Sequence, residues 1–194
     1  MLAVSVDGSL FVVNRDGTGA RELTHDTYPE VGFKGIAAEW SPDGKTLLFS
    51  AGEPDFVGRK IFVVGLDGAR EREFSPAPGS QDDAAFSPDG RRVAFLLQAI
   101  KDRGPAIVIS DAQGKVERIM PGLYGWHMPE WSPDGTKIAI LDPVPDGTDV
   151  PRDSAAIVIV DVIGNVPPVN IYIPEKEDGE HPDYSLTWQR LALP

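Results

Sequence analysis

The chain contains no cysteine. That excludes disulfides and thiolate chemistry and leaves the compartment open. No apolar run approaches the roughly 20 residues that a membrane-spanning helix needs. The opening stretch, Met1 to Asp7, is too short before its first charge to read as an export signal. No segment sustains a 3.6-residue apolar period, so very little helix is expected. Catalytic signatures are missing too: neither Gly-x-Ser-x-Gly nor His-Glu-x-x-His occurs. Gly44-Lys45-Thr46 imitates the end of a phosphate loop, but Glu39 stands where the first glycine of that motif belongs. Positive charge is scarce, with 18 Lys and Arg against 30 Asp and Glu, for a net charge of −12. Such a field repels a phosphate backbone, so nucleic acid is not expected as a partner. It is compatible with a cationic partner, although solubility alone accounts for it as well.

What is present is turn punctuation on a globular composition. Of 194 residues, 41% are hydrophobic, 20 are glycine and 18 are proline. This suits one domain with a sizeable core. Ser-Pro-Asp-Gly occurs at Ser41–Gly44, Ser87–Gly90 and Ser132–Gly135, each time after an aromatic: Trp40, Phe86 and Trp131. A fixed period of this size marks one supersecondary unit repeated. Proline presets φ for a type I turn and the closing glycine can take the left-handed conformation, so the motif predicts a tight hairpin that needs no ligand.

Aligning the copies predicts four strands per unit. First strands end in the aromatic, at 36–40, 82–86, 127–131 and, in degenerate form, 184–188. Second strands are expected at 46–50, 92–97 and 137–141, and β-branched third strands at 61–64, 106–109 and 156–160. Fourth strands fall near 70–74, 116–120 and 169–173, after Asp-x-x-Gly-type turns. The N-terminus enters this frame in the middle, with 1–6, 10–13 and 20–23 matching second, third and fourth strands. The expected fold is all-β: a propeller, or an arc of one, of four four-stranded antiparallel blades within one domain, 1–194. Blade units run at about 1–40, 41–86, 87–131 and 132–188. The last blade would close through N- and C-terminal strands, 1–6 against 184–188, which protects the sheet edges.

The stretch Trp40–Phe49 resembles the WD-repeat-like propeller repeat of TolB. It is similar also to the propeller domains of prolyl-oligopeptidase-type peptidases. Leu10–Gly19, a β-branched strand running into Asp-Gly, and Glu22-Leu23-Thr24 fit the same pattern. The resemblance implies a propeller fold and an extracytoplasmic home, the periplasm in the case of TolB. Family rings hold more blades than the four visible here. A piece of a longer chain, a small four-bladed ring and half of a two-chain ring all remain open. The last reading makes the partner a second copy of the chain.

Connections of one kind share one face, so the turns lie together and the long loops lie opposite them. Binding residues sit disproportionately on such loops. His25, His127 and His181 all fall there, joined by Tyr28, Phe56, Tyr124 and Trp126 and by Asp26, Glu30, Asp55, Asp82, Asp83, Glu177, Asp178 and Asp183. Three histidines converging on a channel would suit a transition metal, but no short ligand spacing supports one. Aromatics among polar loops suit an interface anchor, with Tyr124 to His127 the best candidate. The Asp142–Asp153 loop lacks the spacing of a calcium loop. No cofactor or metal and no catalytic residue is assigned. The expected function is a non-catalytic binding or scaffold module that holds a protein or peptide through its loop face. The alternative is the gating propeller of a larger serine hydrolase whose catalytic domain lies outside this chain. A metal-dependent propeller enzyme is a third class.

Overall fold

A computed structural model of the chain describes residues 1–6, 9–24, 38–52, 58–98, 105–123, 129–143, 155–164, 167–173 and 187–188. Within them the fold is entirely β. The first sheet holds β1 (Leu2–Val6), β2 (Ser9–Val13) and β3 (Arg21–Glu22). The second holds β4 (Glu39–Trp40), β5 (Thr46–Ala51), β6 (Lys60–Gly65) and β7 (Arg72–Glu73). The third holds β8 (Gln81–Phe86), β9 (Arg92–Leu97), β10 (Ala106–Asp111) and β11 (Val116–Pro121). The fourth holds β12 (Glu130–Trp131), β13 (Lys137–Pro143), β14 (Ala155–Asp161) and β15 (Val169–Ile173). Strand order in each sheet follows the chain, and every pair is antiparallel. These are propeller blades at the expected positions; most bounds agree to within two residues, while of the first strands expected at 36–40 and 127–131 only 39–40 and 130–131 are described as strand. Among the described residues β1 pairs with β2 alone; of residues 184–188, expected to pair with it, 184–186 lie outside them and 187–188 are described without a strand.

The three Ser-Pro-Asp-Gly turns are built alike. Each glycine has φ of +68°, which an L side chain rarely adopts. Each serine hydroxyl donates to the aspartate two residues on, at 2.7, 2.7 and 2.6 Å for Ser41, Ser87 and Ser132. The same hydroxyl oxygens accept the backbone N–H of Thr46, Arg92 and Lys137 at 2.9–3.0 Å. The aspartates accept backbone N–H groups from Lys45, Arg91 and Thr136. Those bonds, the serine hydroxyl's first, hold the Asp43, Asp89 and Asp134 carboxyls below the usual range, Asp134 at about 2. The motif is thus a self-satisfied hairpin.

Second and third strands of the two middle blades are apolar on both faces because each of these blades is sandwiched between neighbours. Leu47, Phe49 and Ala51 pack with Leu10, Val12 and Leu23 of the first blade, while Leu48 faces Val93, Phe95 and Leu97 of the third. Ala94 and Leu96 face Ile138, Ile140 and Val158 of the fourth. Phe95, Ile107 and Ile138 are fully buried, and burying each such side chain contributes roughly 1.5–3 kcal/mol.

Candidate binding site

Each described innermost strand ends in an aromatic that follows a variable residue, Glu39-Trp40, Ala85-Phe86 and Glu130-Trp131, and Thr187-Trp188 stands at the matching place of the sequence repeat. Pairing with the second strands fixes the first three, with Trp40 opposite Leu47, Phe86 opposite Val93 and Trp131 opposite Ile138. The Trp131 indole N–H donates to the Ala85 carbonyl at 3.1 Å, and that of Trp188 to the Glu130 carbonyl at 2.9 Å. The Trp131 indole therefore ties β12 to the third blade, and that of Trp188 ties residue 188 to the fourth. Phe86 has no N–H to offer, and its ring packs against the core between the second and third blades.

These four pairs, with Pro42, Pro88, Pro129 and Pro133, line a cleft of about 600 Å³. It sits at the turn end of the innermost strands. Trp131 is buried, whereas Trp40, Phe86 and Trp188 are half-buried and keep part of their ring surface free. Glu39 and Glu130 are also half-buried. Burial first, and the Glu130 charge second, push the Glu39 carboxyl above its ordinary value. Between the two glutamates, at the equivalent position of β8, stands Ala85 with only a methyl group. The arrangement joins negative charge, aromatic surface and an open volume, which is the chemistry of a binding site.

A second polar centre lies at the other end of β8. Arg59 Nη1 and Asp82 Oδ2 form an ion pair at 2.5 Å, and both side chains are 7% exposed. The Arg59 N–H donates to Ser80 Oγ at 3.0 Å, and the Gln81 N–H donates to the Arg59 carbonyl at 2.8 Å. Gln81 Nε2 donates to the Ser75 and Ala77 carbonyls. Asp83 sits in a bulge between Asp82 and Ala85 and has φ of +49°, the one positive φ outside glycine among the described residues. Burial, then the Asp82 charge, raises its carboxyl to about 6 against the opposing pull of Arg59. The cluster fastens the start of β8 to the second blade. Its ion pair is closed off by protein, so it reads as an inter-blade clamp.

Of the loop-face residues singled out in the sequence, His25, Tyr28, Phe56, Tyr124, Trp126, His127 and His181 lie outside the described residues. So do Asp26, Glu30, Asp55, Glu177, Asp178 and Asp183. Asp82 and Asp83 are described, and they belong to the clamp. No group of three His, Asp or Glu side chains placed to hold a metal occurs among the described residues. No single repeat announces the cleft; it takes a comparison, across the repeats, of the residue before each aromatic. That comparison, Glu, Ala, Glu, Thr, carries the signal.

No family model matches the chain. It is 30% identical over 158 residues to an uncharacterized protein of Agrobacterium fabrum, covering 77% of this chain and 53% of that protein. It is 31% identical over 101 residues to dipeptidyl-peptidase 5 of Porphyromonas gingivalis, covering 50% of this chain and 15% of the peptidase. The chain thus spans about half of the first relative and a small part of the second. TolB from Acinetobacter baumannii superimposes with a TM-score of 0.60 at 18% identity, over 82% of this chain and 37% of that one. The β-propeller domain of the Trilobed protease from Pyrococcus furiosus, described as having an open velcro topology, gives 0.53 at 17% identity, over 84% and 48%. By fold, the chain is a β-propeller whose structural neighbours are TolB and the propeller domains of peptidases.

Proposed function

We propose that the chain is a non-catalytic binding propeller that holds a protein or peptide segment. The observation that carries this reading is the cleft along the innermost strands, where three blades and the Thr187-Trp188 segment contribute to one concave wall of aromatic and acidic side chains. A rigid wall pre-forms the site, so a partner binds without ordering the receptor first. The long loops, with Tyr124, Trp126 and His127 foremost, extend the surface in the same reading, and the extracytoplasmic side of the cell is its compartment. The test uses Thr187, which is exposed at the cleft edge. Thr187→Trp fills the cleft without entering the core. A library of short extended peptides is expected to bind the wild-type chain and to lose affinity for the variant. Binding that ignores Thr187→Trp would move the site elsewhere.

A second reading is a gating propeller attached to a hydrolase, and the match to dipeptidyl-peptidase 5 favours it. A fluorophosphonate probe applied to the protein purified from its own cells decides between them. Labelling of the polypeptide that carries these repeats supports the hydrolase. An unlabelled polypeptide that still binds peptides supports the stand-alone module.

A further inference from the structure

The cleft has a definite chemistry, and its occupant can be argued from it. Glu39 and Glu130 come from blades on either side of β8, and Ala85 leaves the space between them open. Partial burial first, and the Glu130 charge second, disfavour ionisation of Glu39, as happens when two carboxylates share a partly desolvated space. Trp40, Phe86 and Trp188 present ring surface to the same volume. Carboxylates attract a cation, and aromatic faces attract one that can shed water. The net charge of −12 adds a long-range field of the same sign.

Resting on the binding reading above, we infer that the cleft receives an arginine side chain from an extended peptide, its guanidinium bridging Glu39 and Glu130 between the aromatic rings. Guanidinium is planar, carries five donors in a fork that matches carboxylates, and is more weakly hydrated than an ammonium. It satisfies two carboxylates at once while stacking on indole, which a lysine cannot do with equal geometry. The volume of about 600 Å³ exceeds one guanidinium, so backbone on either side of the arginine also fits.

The experiment titrates capped alanine peptides holding one central arginine, lysine or citrulline into the full chain by calorimetry. The receptors are the wild type, Glu39→Gln, Glu130→Gln, the double variant, Thr187→Trp, and Glu22→Gln as an exposed acid on β3 remote from the cleft. Circular dichroism checks that each variant is folded. The arginine peptide is expected to bind about tenfold more tightly than its uncharged citrulline analogue. Each cleft glutamine should weaken it by roughly three- to tenfold, with Glu22→Gln unchanged. Citrulline matching arginine, or Glu22→Gln matching the cleft variants, would overturn the inference. Lysine matching arginine would overturn the guanidinium assignment. If all three peptides bind alike and Thr187→Trp blocks them, the arginine inference falls and the cleft reading survives. If no peptide binds, both fall.

Discussion

Asp83 concentrates strain and charge in one residue. Its left-handed backbone is tolerable because Asp and Asn adopt that region more readily than most side chains. Its carboxyl titrates near 6 because burial and Asp82 disfavour the anion. The folded state therefore holds this proton more tightly than the unfolded chain does. The contribution of Asp83 is fully present below its ordinary value of 3.8 and is lost as pH rises to about 6. Asp83→Asn keeps the backbone preference and removes the charge. It is expected to stabilise the fold by about 1–2 kcal/mol at pH 7 and to leave it unchanged near pH 4. Denaturant melts of both proteins across that range check it, and a difference that grows toward low pH would refute it. Gly114 makes the opposite point. A Cβ there would meet the Phe74 carbonyl oxygen of the neighbouring blade at 1.8 Å, and φ is +87°. Gly114→Ala must push two blades apart, so a loss of about 2–4 kcal/mol is expected in the same melts. A near-neutral result would show that the contact is not tight in solution.

Elements repeat their inter-blade devices as faithfully as their turns. The indole bond of Trp131 to the Ala85 carbonyl is buried, so Trp131→Phe removes one donor and leaves that acceptor short of a partner. A cost of about 1 kcal/mol follows, visible as a fall of about 2–4 °C in Tm; an unchanged Tm would make the bond incidental. On the fourth strands Arg21 donates to the Leu66 carbonyl at 2.7 Å. Arg118 donates to the carbonyls of Asp161, Val162 and Gly164. Each reaches the turn of the next blade. The strands and hairpins were legible in the sequence because they are set by local chemistry: Pro at the second turn position, Gly at the left-handed one, and apolar runs between them. The indole and arginine bonds join residues 43 to 58 positions apart, so no local pattern announces them. The Asp83 bulge adjoins the ion pair that anchors Asp82 to Arg59, again a partner 23 residues away. For the candidate site, Glu39 and Glu130 acquire meaning only once β4, β8 and β12 converge on one wall. Apart from Asp82 and Asp83, the loop residues singled out in the sequence belong to segments the structure does not describe.

At the scale of the molecule, three inter-blade cores run in series, each built from alternate residues of the strands that flank it. The pattern breaks at the first blade. Leu2, Val4 and Val6 lie on one face of β1 at 56, 42 and 49% exposed, and among the described residues β1 is an edge of its sheet. Val169 and Ile171 on β15 are 53 and 46% exposed. In the other blades the equivalent faces are covered by a neighbouring blade, so the β1 face has the composition of a covered surface. Apolar faces beside open strand edges drive association. The chain is accordingly expected to self-associate as its concentration rises. Its charge of −12 opposes contact between copies, so added salt should strengthen the association by screening. Val4→Lys with Val6→Lys removes the apolar face but makes the net charge less negative, which by itself would favour association. Loss of association in that variant therefore assigns the contact to apolar burial. Light scattering after size exclusion, at low and high salt, gives the reading. A wild type that stays monomeric at every concentration, or a double-lysine variant that associates as before, would show that the exposed face of β1 is not an interface.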